Sequence, residues 1–173
     1  MMVYGAILEK GEHSYTYLKK VFQAIGGAQK NYNWLISDAD CFPTTPEFSK
    51  LLGQKSCWLT GEALTAMVEQ EDFQWIWGVL SGFPKSVPEE QVRQYPLPYA
   101  DGYQNFWHNP LTLQHPLAEI EIVPWDSSLT LLLSKQKEIV EDFRAFFPLS
   151  EDLIQKIEAL NDQAERKAGT LLC

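Results

Sequence analysis

The sequence predicts an α+β fold: a mostly antiparallel sheet of about five or six strands with helices packed mainly on one face. Three observations carry that prediction. Ala118–Ser134 sets two apolar runs of β-type alternation around Pro124-Trp125-Asp126-Ser127-Ser128, the pattern of a hairpin with a loop of about four or five residues. Leu18, Val21, Phe22 and Ile25 fall at i, i+3, i+4 and i+7, a single apolar stripe of a helix. Strand-like and helix-like segments are mixed along the chain, with a hairpin and two helices at its end, which favours α+β. The alternation before Ser81 also admits a βαβ start.

Met2–Leu8 is a short apolar run ended by Glu9-Lys10-Gly11-Glu12 and reads as the first strand. Ser14 is placed to cap the helix that carries the Leu18–Ile25 stripe, and Gly26-Gly27 stops it. Tyr32–Ser37 reads as a strand. Thr45-Pro46-Glu47 supplies a cap, a first-turn proline and a first-turn acid for a short helix closed by Gly53. Ser56–Thr60 is a further strand. A helix then opens at Thr60 or Gly61 with Ala63, Leu64, Met67 and Val68 facing inward. Phe73–Gly82 is a strong strand in which Phe73, Trp75 and Trp77 are expected on one face, and Gly78 marks a bulge or a close backbone approach.

Between Phe83 and Pro116 the texture changes. Six of the ten prolines lie there, interleaved with Tyr95, Tyr99, Tyr103, Phe106 and Trp107, and only one short helix fits, around Pro88–Gln94. Disordered linkers are poor in aromatics, so this reads as a long, packed surface excursion between two central strands. After the hairpin, Ser134 is expected to cap a helix carrying Ile139, Val140, Phe143 and Phe147. Ser150-Glu151-Asp152 starts a last helix with Leu153, Ile154, Ile157 and Leu160, and the polar chain past residue 160 is expected to fray. One domain over residues 1–173 is the simplest organisation.

Charge and cysteine usage narrow the function classes. The formal charge is −9, and it is concentrated in Leu35–Ser134, where 13 acids face Lys50, Lys55, Lys85 and Arg93; Met1–Trp34 carries +2. An acidic middle repels nucleic-acid backbones and anionic membranes; it fits a basic protein partner or simple solubility, and solubility is the commoner explanation of such a charge. Cys41, Cys57 and Cys173 are odd in number and widely spaced, which fits a reducing compartment and buried or incidental thiols. No leader and no run of about 18 apolar residues occurs, so the reading is a cytoplasmic protein with no membrane span.

No Gly-x-Ser-x-Gly elbow, phosphate loop or dinucleotide fingerprint occurs, and the sequence implies no cofactor. Asp38 and Asp40, two apart at a strand end, are candidate ligands of a hard divalent cation, or turn residues bonding their own backbone. His108 and His115, with Glu119 and Glu121, form a candidate set for a ligand, a transition metal or a general base. Against this, the histidine spacing matches no ligand template, and the Glu119/Ile120/Glu121/Ile122 alternation fits surface histidines beside a solvent-facing strand side. Cys41 is the best-placed thiol, yet neighbouring Asp38 and Asp40 would raise its pKa and blunt it as a nucleophile.

Tyr99, Asp101, Tyr103, Trp107, Trp125 and Asp126 combine rings with acids, as protein interfaces do; the competing reading is that the rings glue the loop to the domain. In size, acidity, Trp-rich strands and the segment Ile120–Leu133 followed by Ser134-Lys135-Gln136-Lys137-Glu138-Ile139-Val140-Glu141-Asp142-Phe143, the chain resembles small acidic cytoplasmic α+β proteins of bacteria, some of them immunity proteins that block a basic toxin enzyme. Others of that kind have no assigned role, and the resemblance transfers no site; the first expectation, carried by the acidic, aromatic surface, is a non-enzymatic protein that binds a protein partner in an immunity-like way. The rival expectation is an enzyme or small-ligand binder with its pocket between the long loop and the hairpin.

Overall fold

The computed structural model describes residues 1–171; the third cysteine, Cys173, lies outside the described residues. Seven strands form one sheet: β1 (Tyr4–Leu8), β2 (Tyr32–Cys41), β3 (Ser56–Thr60), β4 (Trp75–Pro84), β5 (Ile120–Trp125), β6 (Leu129–Ser134) and β7 (Glu151–Asp152). Their order is β3-β2-β4-β5-β6-β1-β7, and every neighbouring pair is antiparallel. The fold class is α+β. No βαβ unit starts the chain, because β1 crosses the sheet to pair with β6.

Helices α1 (Leu18–Ala24), α2 (Pro46–Leu52), α3 (Gly61–Gln70), α4 (Glu89–Val92), α5 (Lys137–Phe146) and α6 (Leu153–Leu171) divide between the two faces. Leu18, Val21 and Phe22 of α1, Leu64, Met67 and Val68 of α3 and Ile139, Val140 and Phe143 of α5 pack on Ala6, Trp34, Trp75, Leu80, Ile122 and Leu132 of the sheet. The sequence stripes are therefore what buries this face, and at roughly 1.5–3 kcal/mol for each large apolar side chain they dominate its stability. Ala63 is exposed in α3, and Thr65 takes the inward position. Thr60 caps α3 by accepting from the Ala63 N–H over 3.1 Å.

The opposite face is not open to water. The chain from Lys85 to Glu119 crosses it and buries Val92, Ala100, Phe106, Leu111 and Ala118, while Leu153 and Ile157 of α6 close its far side over Ile7, Leu131 and Leu133. The segment read as a surface excursion is thus the second wall of the core. It holds α4 and a 3-10 turn, Gln104–Trp107, and little other regular structure.

Four local expectations are corrected. Trp75 and Trp77 lie on opposite faces: Cys41 pairs with Trp75 and Asp40 with Trp77, so Ile76 is an extra residue on β4, and a bulge of this kind rotates the next side chain to the other side. The hairpin loop is shorter than expected, because Trp125 pairs with Leu129 and leaves Asp126, Ser127 and Ser128, the first two with φ of 49° and 58°. Neither Ser14 nor Ser134 is the N-cap of its helix; those positions are Tyr17 and Gln136, and the Ser134 hydroxyl instead accepts from the Gln136 N–H. The last helix does not fray after residue 160 but runs on through Ala, Glu, Arg and Lys, all good helix formers.

Candidate functional site

Two arrangements stand out, one inside the second wall and one on the surface at the end of the sheet. The inner one centres on Glu121 of β5. Its side chain points away from the helical face, is fully buried, and accepts three hydrogen bonds. The Ser81 hydroxyl donates to Oε1 over 3.0 Å, the His115 N–H to Oε1 over 3.0 Å, and the Gln114 N–H to Oε2 over 2.7 Å. Burial pushes the carboxyl pKa up to about 7, against the downward pull of those donors and of Lys135. The solvent-facing role expected of this position is overturned: the alternation of β5 persists, but the loop occupies the place of water.

His115 is buried as well, not a surface histidine. Its Nδ1 accepts from the Leu117 N–H at 3.2 Å, which leaves the proton on Nε2, and Nε2 then donates to the Val92 carbonyl at 3.1 Å. Phe83 and Tyr95 meet the ring edge-on, at centroid distances of 4.8 and 5.2 Å. Burial pulls its pKa down, so the ring is held neutral. Both ring nitrogens and both Glu121 oxygens are thus engaged by the protein itself. The two residues meet through the His115 backbone, and the imidazole makes no hydrogen bond to the carboxylate. His108 is exposed on the loop and Glu119 is half-buried. Among the described residues, no three His, Cys, Asp or Glu side chains are arranged to hold a metal ion.

The surface arrangement is built from three segments. In β2, an irregularity between Ser37 and Asp40 puts Asp38 at φ 53°, and its Oδ2 accepts from the N–H groups of Ala100 and Asp101 at 2.8 and 3.3 Å. The loop is tied down further by the Ser37 hydroxyl, which donates to the Pro98 carbonyl over 2.8 Å. The hairpin tip is held against β4 by the Ser127 N–H on the Ile76 carbonyl, at 3.0 Å. One end of the sheet therefore collects Asp38, Asp40, Asp101 and Asp126, none of them in an ion pair among the described residues.

Beside these carboxylates lie the rings. Trp125 stands edge-to-face between Trp77 at 5.0 Å and Trp107 at 5.3 Å, and Tyr103 stands likewise between Tyr99 at 5.3 Å and Phe106 at 4.7 Å. Trp77, Tyr103, Trp107 and Trp125 are half-buried, and Tyr99 is 47% exposed. Trp77, Tyr103, Trp107 and Trp125 pack against the buried cluster while staying partly exposed, so gluing the loop down and presenting a surface are compatible here. Strand alternation alone does not place Trp77 on this surface; only the bulge at Ile76 brings it there.

The two described thiols offer no competing chemistry. Burial first, then the charge of Asp40, pushes the Cys41 pKa up to about 12, and burial pushes Cys57 to about 11, so neither supplies a thiolate near neutral pH. No helix among the described residues is long and apolar enough to cross a membrane. No protein-family model, curated protein or solved structure matches the chain, so the fold and these two arrangements stand as the ground for a functional reading.

Proposed function

We propose that this is a non-enzymatic protein of the bacterial cytoplasm that binds a protein partner through the acidic, aromatic end of its sheet, in the manner of an immunity protein blocking a basic enzyme. One observation carries the reading. Five half-exposed or exposed rings, Trp77, Tyr99, Tyr103, Trp107 and Trp125, lie beside four carboxylates that no cation among the described residues neutralises. Rings pre-ordered by edge contacts lose little entropy on binding, and unpaired acids steer a cationic partner. The rival reading, a His/carboxylate pocket, finds no such support, because His115 and Glu121 spend their polar atoms on holding the loop.

The test is capture from the native host by the full-length protein, compared with a Trp125→Ala/Asp101→Asn/Asp126→Asn variant of unchanged circular dichroism. A basic partner that the wild type retains and the variant loses by tenfold or more supports the reading. Retention that is equal in both, or no specific capture, refutes it.

A further inference from the structure

The second half of α6 carries an apolar stripe that nothing in the single chain covers. Leu153, Ile157, Leu160, Ala164, Ala168 and Leu171 follow one another at spacings of 4, 3, 4, 4 and 3 residues, the period of one helix face. Leu153 and Ile157 spend that face on the core. Past them the stripe runs on: every residue from Glu158 to Leu171 is exposed, Leu160 by 41% and Leu171 by 87%. Among the described residues, Ala159–Leu171 makes no ion pair. A helical segment of about this length is marginal in water without an apolar face packed on something, and the chain's own body supplies no such packing.

Two features along this stripe match each other. A groove of about 300 Å³, lined by Gln104, Trp107, Ile157, Leu160 and Asn161, opens at its start, and Leu171 projects as a bare knob at its end. Ile157 and Leu171 each lie seven residues from Ala164, about 10 Å along the helix axis, and Ala164 is small enough to let a second helix close in. The charges of the segment are sorted as well. Glu158, Asp162 and Glu165 come first, and Arg166 and Lys167 follow. An antiparallel helix of the same sequence sets the acidic half beside the basic half, whereas a parallel one sets like beside like.

We propose that α6 pairs antiparallel with α6 of a second copy of this chain, about a two-fold axis at Ala164, with Leu171 of each copy seated in the Trp107 groove of the other. Such a contact is isologous: one patch serves both subunits, and groove and knob are each used twice. Two helical segments of this length bury less than about 1,200 Å² in total, so the association is weak and depends on concentration. The pairing reaches the aromatic end of the sheet only at Trp107 and does not depend on the partner-binding role given to that surface.

The experiment is sedimentation velocity on the purified full chain from about 5 to about 500 μM, with the Trp107 indole N–H followed over the same range by nuclear magnetic resonance of ¹⁵N-labelled protein. No other protein is present, so the outcome is separate from that of the capture experiment. A dimer with a Kd of about 50 μM is expected, and the Trp107 signal should shift along the same binding curve. Leu171→Lys and Ala164→Arg, both at exposed positions, should each weaken association about tenfold or more. Arg166→Glu/Lys167→Glu, which leaves the segment wholly acidic, should weaken it at least about fivefold. Leu171 lies ten residues beyond Asn161 on its own helix, so loss of the Trp107 shift in Leu171→Lys reports a contact between copies. A chain that stays monomeric at the highest concentration, a dimer that none of these substitutions weakens, or a Trp107 signal that stays fixed as the dimer forms would each overturn the proposal.

Discussion

Ser81 and Glu121 sit directly opposite each other on β4 and β5, and the serine hydroxyl donates to a carboxylate that water does not reach. The same carboxylate receives the backbone N–H groups of Gln114 and His115, so a single side chain fastens the sheet to the segment that covers it. This makes the second wall of the core dependent on a charge-bearing group, and its consequences are measurable.

Replacing Glu121 by Gln tests the fastening. All three neighbours donate, and a glutamine has only one oxygen to accept with, so its NH₂ must face either the Gln114 or the His115 N–H. The expected cost is about 1–3 kcal/mol in urea unfolding at pH 5, where the contribution of Glu121 is still largely present, with faster hydrogen exchange at Gln114 and His115. A variant as stable and as protected as the wild type would show that these bonds contribute nothing.

The pH dependence is set by the sign of the shift. Glu121 has its folded-state pKa raised, from an ordinary 4.5 to about 7, so the folded state holds its proton more tightly than the unfolded chain does. Its contribution is therefore fully present below pH 4.5 and is lost as pH rises toward 7, amounting to roughly 3 kcal/mol over that window. His115 works oppositely: its pKa is lowered from 6.5, so stability falls as pH drops below that value and the unfolded histidine takes up a proton. Glu71, its carboxylate held down to about 2 by the N–H and hydroxyl groups of Thr44 and Thr45, adds a loss only at more acidic pH, below 4.5. Subtracting the Glu121→Gln curve from the wild-type curve isolates the Glu121 contribution. The difference should shift in favour of Glu121→Gln as pH rises from 5 to 7, and a flat difference would contradict the burial argument.

Asp38 joins the loop to the sheet at the surface end. Asp38→Ala removes the acceptor for Ala100 and Asp101 and also places a residue without a local hydrogen-bonding side chain at φ 53°. The expected loss is about 1–3 kcal/mol, whereas Asp38→Asn keeps an acceptor oxygen and tolerates that backbone, and should recover most of it. If the site binds a partner as proposed, Asp38→Ala should also weaken capture, because Asp101 and Tyr99 would no longer be held in place.

Why some of this was legible in the sequence and some was not comes down to range. The Leu18–Ile25 stripe and the Ile120–Ser134 alternation are local patterns, set by the period of one element, and they appear as expected. Ring content marks Tyr99, Tyr103, Trp107 and Trp125 as candidates, but their contacts, Tyr99 with Tyr103 and Trp107 with Trp125, come from the fold of the loop onto the hairpin. The surroundings of Glu121 were not: Ile-Glu-Ile alternates identically whether water or a folded-back loop covers the glutamate, and the cover comes from residues 114–115 reaching back from outside the strand. The face of Trp77 was hidden for a related reason, since an inserted residue such as Ile76 leaves the composition unchanged while reversing the facing of the residues after it.

Gly61 gives the sharpest packing test, because of all the glycines it is the one whose added Cβ would meet neighbouring backbone most closely. A Cβ there would lie 2.2 Å from the Gln29 carbonyl oxygen, 2.7 Å from Lys30 Cα and 2.8 Å from the Tyr32 carbonyl oxygen, none of which can swing aside as a side-chain tip could. The Gln29 carbonyl also takes the Trp34 indole N–H at 2.9 Å, so moving it disturbs a fully buried ring. Gly61→Ala should therefore cost about 3 kcal/mol or more despite Ala being the better helix former, and the loss should appear as quenched or shifted Trp fluorescence in the folded state along with a lower midpoint in urea. Gly169→Ala in α6 meets nothing within 4 Å and should instead be neutral or stabilising by up to about 1 kcal/mol. The opposite ranking of these two alanines would mean that α3 does not seat against the 3-10 turn as described.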